Sequence, residues 1–168
     1  MNLRETLLNR YERSTPQRVA RWVGGIQSRF DELFVIFIDA GYRLNQRAAA
    51  ALAICIAKHP KVIKKHLPAL VSLHRQSPNV SLKRNSLRLL QAVEIPENLQ
   101  GDLMDVCFDY IAAKGEPVAV KAFALTILVR MSAYHPDIRR ELRLLVERQL
   151  PHETAAFRAR ARKFLTNS

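Results

Sequence analysis

A column of basic residues recurs through the chain at a constant interval of 37, at Arg47, Arg84, Lys121 and Arg158. Arginine presents a planar fork of N–H donors that matches carboxylate and phosphate oxygens, and lysine brings a point charge to the same anions. Residues that recur at one interval in a repeat protein lie in equivalent positions. The four residues are therefore candidate ligands for an anionic partner.

Two further arginines share the helical face of this column. Arg88 and Arg162 each follow a column member by four residues, which is about one helical turn. The strict period does not account for them. We therefore rank Arg88 and Arg162 first among the candidate ligand-binding residues.

The basic column also has a structural interpretation. Polar residues precede three of its members by five positions, at Asn79, Glu116 and Glu153. Pairing between the column and this series in adjacent repeats would hold a stack of repeats in register, and a strict period is what such a role produces. For the four column residues we favour this interpretation, and anion binding remains the alternative.

Residues suited to catalysis form no recognisable constellation. Asp102, Asp105 and Asp109 share a helical stripe and could bind a metal or act as acid and base, but Leu103 and Val106 beside them suggest an exposed acidic face. The sequence has no cysteine or histidine spacing typical of zinc sites and no glycine-rich phosphate loop. We predict that the chain is not an enzyme and uses no metal or cofactor.

The elements that position these residues are predicted to be helices in pairs. A period in the high thirties with two helical patterns per period is typical of stacked helix pairs. A helix near Leu3 to Tyr11, and another capped by Thr15 with Pro16 as its first residue, form an amino-terminal cap at residues 1–25. Four pairs follow in a single domain, with repeats near residues 26–59, 60–95, 96–135 and 136–168. Their first helices are predicted near 27–40, 61–75, 97–113 and 137–149, and their second helices near 43–58, 80–94, 117–134 and 153–166.

A column of apolar residues predicts the core between these repeats. It lies fourteen and thirteen residues before each basic position, at Leu33-Phe34, Leu70-Val71, Cys107-Phe108 and Leu144-Leu145. Cys107 occupies a register otherwise held by leucine, so we interpret it as a small core residue, and Cys55 lies in an alanine-isoleucine run.

The second helices carry a specific resemblance to a known family. Arg47-Ala48-Ala49-Ala50-Ala51-Leu52-Ala53-Ile54 and Val120-Lys121-Ala122-Phe123-Ala124-Leu125-Thr126-Ile127-Leu128 resemble the second-helix signature of HEAT repeats, and His66-Leu67-Pro68-Ala69-Leu70-Val71 is similar to the first helix, where a proline often bends the chain. The resemblance covers about residues 26–168. It implies an all-α, armadillo-like fold in which the helix pairs form a right-handed α-α superhelix and the second helices line the concave face. The aspartate that HEAT repeats usually place six residues before the arginine is absent here.

Charge and composition indicate the kind of partner. The chain has 168 residues and a formal net charge of +12, which favours an anionic partner. Seven basic residues and one acidic residue lie between positions 60 and 95, whereas three basic and five acidic residues lie between 96 and 135. Without a signal peptide pattern or a long apolar run, and with both cysteines in apolar segments, the chain is expected to be cytoplasmic.

Two functions follow from these observations. The first is a non-enzymatic scaffold whose concave face recognises a protein, a peptide or another acidic partner. The alternative is nucleic-acid binding through phosphate contacts, because HEAT-like solenoids are similar in fold to bacterial alkylpurine DNA glycosylases. Neither the aromatic residues nor the catalytic aspartate of those enzymes has a match here, and only Trp22 and Tyr42 are placed to stack on a base. The sequence leaves the oligomeric state open.

Overall fold

The structure is a computed structural model that describes residues 1–9, 11–39, 41–76 and 78–167. Within these ranges it contains ten α-helices and no β-strand, which confirms the predicted all-α class. The chain divides into two compact units, one of Met1–Leu70 with Ser77–Glu94 and the other of Val71–Gln76 with Ile95–Ser168. The predicted single domain and its repeat boundaries stay predictions.

The first unit contains five complete helices. They are α1 (Leu3–Leu8), α2 (Thr15–Val23), α3 (Gln27–Asp39), α4 (Tyr42–Lys58) and α6 (Val80–Leu90), while α5 (Leu67–Leu73) gives residues to both units. The second unit contains four, namely α7 (Glu97–Ala112), α8 (Val118–Met131), α9 (Pro136–Gln149) and α10 (Ala155–Thr166). Each lies within a few residues of its predicted range.

The predicted helix at 61–75 is the least regular element. Residues Pro60–His66 form a 3₁₀ helix, α5 follows, and His74–Gln76 form a second 3₁₀ turn. Pro68 explains this division, because proline has no N–H to donate and its ring clashes with the carbonyl four residues earlier. The proline thus lies where the 3₁₀ segment gives way to α5.

The amino-terminal helices differ from prediction at their ends. α1 stops at Leu8 rather than Tyr11, and α2 begins at Thr15 itself with Ser14 before it. Thr15 is fully buried, and its hydroxyl accepts a hydrogen bond from the Glu12 amide at 2.8 Å. Thr15 thus stabilises the preceding turn instead of capping α2, so the predicted cap was wrong.

The core follows the predicted apolar column through three repeats. Leu33, Leu70 and Cys107 are all fully buried, but Leu144 is 59% exposed. In α9 the buried stripe consists of Leu142, Leu145 and Val146, whose spacing of three and four defines one helical face. α9 is rotated so that Leu142 fills the core in place of Leu144, and for Leu144 the expectation was wrong.

Asp31 in α3 connects the first unit's helices through a cluster of polar contacts. It accepts hydrogen bonds from Lys65 and from Gln27 at 2.9 Å, and the His66 ring nitrogen lies 2.6 Å from it. Burial alone would raise the pKa of Asp31, but these hydrogen bonds outweigh it and lower the pKa to about 2. The ionised carboxylate is therefore stabilised in the folded chain.

A depressed carboxyl pKa predicts a loss of stability in acid. The ionised Asp31 carboxylate adds to the free energy of unfolding in full above its pKa in the unfolded chain, near 4, and this contribution is lost as pH falls from about 4 to about 2. Because the side chain is 28% exposed, solvent screens it, and Asp31→Asn should lower the free energy of unfolding by only about 1 kcal/mol near neutral pH. Urea denaturation across pH checks this, with the exposed Asp39→Asn on the same helix as control. If Asp31→Asn were still less stable than the unmodified protein by the same amount at pH 2, the ionised Asp31 carboxylate would not be the source of the stability.

Candidate functional site

Lys121 is the most deeply buried member of the basic column. Its Nζ lies 2.5 Å from Oε1 of Glu153, and the two side chains are 6% and 8% exposed. The amine of α8 and the carboxylate before α10 thus neutralise each other in the interior of the second unit. The predicted pairing of Lys121 with Glu153 is present, and it supports the structural interpretation for this residue.

Arg47 is also held by internal contacts, although not by the predicted partner. Its Nη1 donates to the carbonyl oxygens of Leu7 at 2.6 Å and Leu8 at 3.0 Å, and the guanidinium lies 4.1 Å from the centre of the Tyr11 ring. A cation at the last carbonyls of a helix favours its dipole, so Arg47 caps α1 and joins it to α4. Asn79, the expected partner, instead caps α6 by accepting from the Leu82 amide at 2.9 Å.

The remaining two column members have weaker internal roles. Arg158 donates from Nε to the Glu153 carbonyl oxygen at 2.8 Å, a contact within the start of α10 rather than between repeats. Arg84 is half-buried and makes no side-chain hydrogen bond or ion pair with any residue that the structure describes. The predicted register ladder is therefore found at Lys121 alone among the four.

Arg88 and Arg162 are more exposed than three of the column members, since Arg47 and Arg84 are half-buried and Lys121 is buried, whereas Arg158 is exposed as they are. Both are exposed, and neither guanidinium is hydrogen-bonded or ion-paired to a residue in the described ranges. Arg88 borders a cavity of about 170 Å³ that Ala53 and Ile56 of α4 also line. Arg162 stands on α10 in the second unit. Each carries a charge that its own unit leaves available to a ligand.

A larger cavity of the second unit lies between α8, the start of α9 and α10. We call it the basic groove; its volume is about 390 Å³, and Leu125, Val129 and Phe164 form its apolar floor. Leu125 and Phe164 are buried, Val129 is half-buried, and Ala133 at one edge is exposed. The groove therefore combines a firm apolar surface with access from solvent.

Four cations surround this floor: Arg130, Arg139, Arg160 and Lys163. Arg160 donates to the Ala122 carbonyl oxygen at 2.9 Å and the Thr126 hydroxyl at 3.2 Å, and Arg139 donates to the Asn167 carbonyl oxygen at 2.8 Å. A guanidinium has five N–H donors, so both arginines are held in place and still have donors to spare. The groove can bind an anion without first ordering these side chains.

The sequence did not reveal this groove. Arg160 and Lys163 belong to neither the basic column nor its neighbouring arginines, and the predicted stripe of Arg158 and Arg162 does not line the cavity. The available signal was the spacing of Arg160, Lys163 and Phe164, which places all three on one face of α10. Sequence spacing alone does not show which helix faces that stripe.

The two cysteines are poorly placed for nucleophilic chemistry. Burial raises the pKa of the Cys55 thiol to about 11 and that of the Cys107 thiol far above its usual range, so both stay protonated and unreactive. Asp102 pairs with Arg75. Across residues 1–9, 11–39, 41–76 and 78–167, no three histidine, cysteine or carboxylate side chains come together in a way that could hold a metal ion.

None of the helices in the described stretches has the length and apolar character needed to cross a lipid bilayer.

Comparison with known proteins identifies the repeat. No curated protein and no solved structure matches the chain. A family model described as a HEAT repeat domain matches residues 3–167, so the match extends through the amino-terminal helices, which the sequence predicts as a cap. Helices α1 to α10 all begin and end within that range. The chain is a helical repeat scaffold and belongs to the HEAT repeat family.

Proposed function

We propose that this protein is a non-enzymatic scaffold that binds an acidic segment of another protein. The observation that carries the proposal is the contrast between two sets of cations. Arg47, Lys121 and Arg158 make hydrogen bonds or an ion pair within the chain, whereas Arg88 and Arg162 are exposed and free of partners among the described residues. Contacts within the chain account for the first set and not for the second.

The physical argument rests on what an exposed guanidinium can do. It binds a carboxylate through two parallel hydrogen bonds, and this geometry adds specificity to attraction. A net charge of +12 also raises the rate at which acidic partners meet the surface. Helical repeat domains of this family are commonly used in protein interaction, which makes a protein partner the natural choice among anions.

Charge reversal at these two arginines tests the proposal. Arg88→Glu with Arg162→Glu should weaken binding of a fluorescein-labelled, glutamate-rich peptide about tenfold in fluorescence anisotropy, because two charged contacts become repulsive. The control is Arg21→Glu with Arg140→Glu, two exposed arginines on α2 and α9 that give the same net charge. Equal loss in both double variants would mean that the peptide senses total charge alone, and the proposal would fail.

Duplex DNA is the alternative ligand, favoured by the net charge of +12. Base stacking on Trp22 is not supported, since the Arg29 guanidinium lies 4.6 Å from the centre of its ring and covers that face. Anisotropy with duplex DNA over a salt series separates the two functions. Tighter binding to DNA than to the peptide, with affinity falling steeply and linearly on a log–log plot of salt, would replace a protein partner with nucleic acid.

A further inference from the structure

The geometry points to the basic groove as a binding site for an acidic peptide segment that carries a bulky apolar side chain. In this arrangement the apolar side chain lies on the floor of Leu125, Val129 and Phe164, and flanking carboxylates meet the cations at the rim. The inference rests on the proposed function, and it adds a contact region beyond Arg88 and Arg162 and a second chemical requirement for the partner. An anion without the apolar side chain would satisfy only half of the site.

The floor accounts for the apolar requirement. A volume of about 390 Å³ lies near the lower end of the range for ligand pockets, roughly 300–1,000 Å³. It therefore has room for one or two side chains. Val129 and Ala133 supply the accessible apolar surface, and Leu125 and Phe164, which are 1% and 5% exposed, support it from below, so the surface does not need to rearrange around an inserted side chain.

The rim accounts for the acidic requirement. No aspartate or glutamate is among the described residues that line the groove, so Arg139, Arg160 and Lys163 meet no carboxylate of its lining. Arg139 and Arg160 are fixed by backbone carbonyls, which reduces the side-chain entropy that binding would cost. Lys163 is exposed and can follow the ligand. Glutamate and aspartate are the peptide side chains that match this set.

A nucleic acid fits the same groove less well. A phosphate backbone needs cations but gains nothing from an apolar floor, and bases bind single-stranded sites by stacking on aromatic faces. The aromatic ring on the floor, Phe164, is almost fully buried, and the Arg139 guanidinium lies 6.0 Å from its centre. The groove therefore offers no open ring for a base.

Two fluorescein-labelled peptides separate the apolar requirement from charge. Both consist of glutamate and aspartate, and one has a central leucine-phenylalanine pair where the other has two alanines. With the unmodified protein we expect the leucine-phenylalanine peptide to bind about tenfold more tightly in fluorescence anisotropy, since the alanine peptide leaves the floor uncovered. Equal affinity for the two peptides would overturn the inference.

Two variants then test whether the peptide binds in the groove. Ala133→Trp fills the groove from an exposed edge without changing charge, and should weaken the leucine-phenylalanine peptide about tenfold while leaving the alanine peptide unchanged. Lys163→Glu should weaken both peptides about fivefold. Arg140→Glu, which has the same charge change on α9 outside the lining, is the control. Thermal unfolding followed by circular dichroism verifies that each variant is folded.

The results also distinguish failure of this inference from failure of the proposed function. If both peptides bind and lose affinity in the Arg88 and Arg162 double variant but not in Ala133→Trp or Lys163→Glu, the scaffold proposal stands and the groove is not the site. If neither peptide binds at low salt, both fail. A preference for the leucine-phenylalanine peptide that Ala133→Trp removes supports the groove.

Discussion

Replacing Lys121 by methionine should lower the free energy of unfolding by about 3–5 kcal/mol, because Glu153 would keep a buried charge without a partner. The two side chains are 6% and 8% exposed, and their ionised groups are 2.5 Å apart. Water cannot easily replace the lost ammonium at such a site. Chemical denaturation with linear extrapolation measures the change.

The double variant Lys121→Met with Glu153→Leu shows whether the loss comes from the stranded charge. Apolar residues of similar size often replace a buried pair without loss, so its stability should return to within about 1 kcal/mol of the unmodified protein. A single variant that costs less than about 1 kcal/mol, the typical value of an exposed pair, would show that water reaches the site. It would also remove the structural explanation for Lys121 in the basic column.

The sequence could predict this pair because both residues belong to periodic series. Lys121 stands in the basic column, and Glu153 in the polar series that precedes it by five residues. A repeat converts such spacing into proximity, since equivalent positions in neighbouring helix pairs face each other. The same reasoning predicted the all-α class, the paired helices and the burial of Leu33, Leu70 and Cys107.

Contacts that occur in only one repeat could not be predicted from the periodicity. Arg47 finds its acceptors at the end of α1, which lies outside the periodic part of the sequence. The rotation of α9 that exposes Leu144 depends on Leu142, a residue that competes for the same core position. Periodicity gives the average repeat, and local packing decides each departure from it.

The candidate site shows the same limit more strongly. Arg160, Lys163 and Phe164 share one face of α10, but Arg158 and Arg162 form an equally regular stripe on another face, and the sequence does not show which stripe meets a neighbouring helix. The groove exists because one stripe of α10 faces α8 across a gap with an apolar floor. That requires side-chain directions on two helices, which the sequence does not supply.

Asn45 is the second position at which we expect a large loss of stability. It is 1% exposed in α4, where its Nδ2 donates to the Phe37 carbonyl oxygen at 2.7 Å. Its Oδ1 accepts from the Ser81 hydroxyl and from Asn85 Nδ2, both at 2.9 Å. One amide therefore joins α3, α4 and α6. The equivalent positions in the next three repeats hold apolar residues, Leu82, Ala119 and Ala156. The periodicity therefore gives no indication of this polar network.

Asn45→Ala should lower the free energy of unfolding by about 3–4 kcal/mol. A buried polar group without a hydrogen-bond partner costs about 1–3 kcal/mol, and the Phe37 carbonyl, the Ser81 hydroxyl and the Asn85 amide each lose their bond to Asn45. Asn85 keeps a longer contact to Ser81 at 3.4 Å, which limits the loss. Ser81→Ala is the matched control. It removes one donor and leaves the bonds of Asn45 to Phe37 and Asn85 intact, so it should cost about 1 kcal/mol.

A double-mutant cycle between the two positions tests whether Asn45 is the centre of this network. Because the Ser81 hydroxyl has already lost its acceptor in Asn45→Ala, removing the hydroxyl as well should cost little more, giving a coupling of at least about 0.5 kcal/mol. Equal losses for the two single variants, or strictly additive losses in the double variant, would show that solvent satisfies these groups when Asn45 is absent. Helices α3, α4 and α6 would then be held together by their apolar contacts alone.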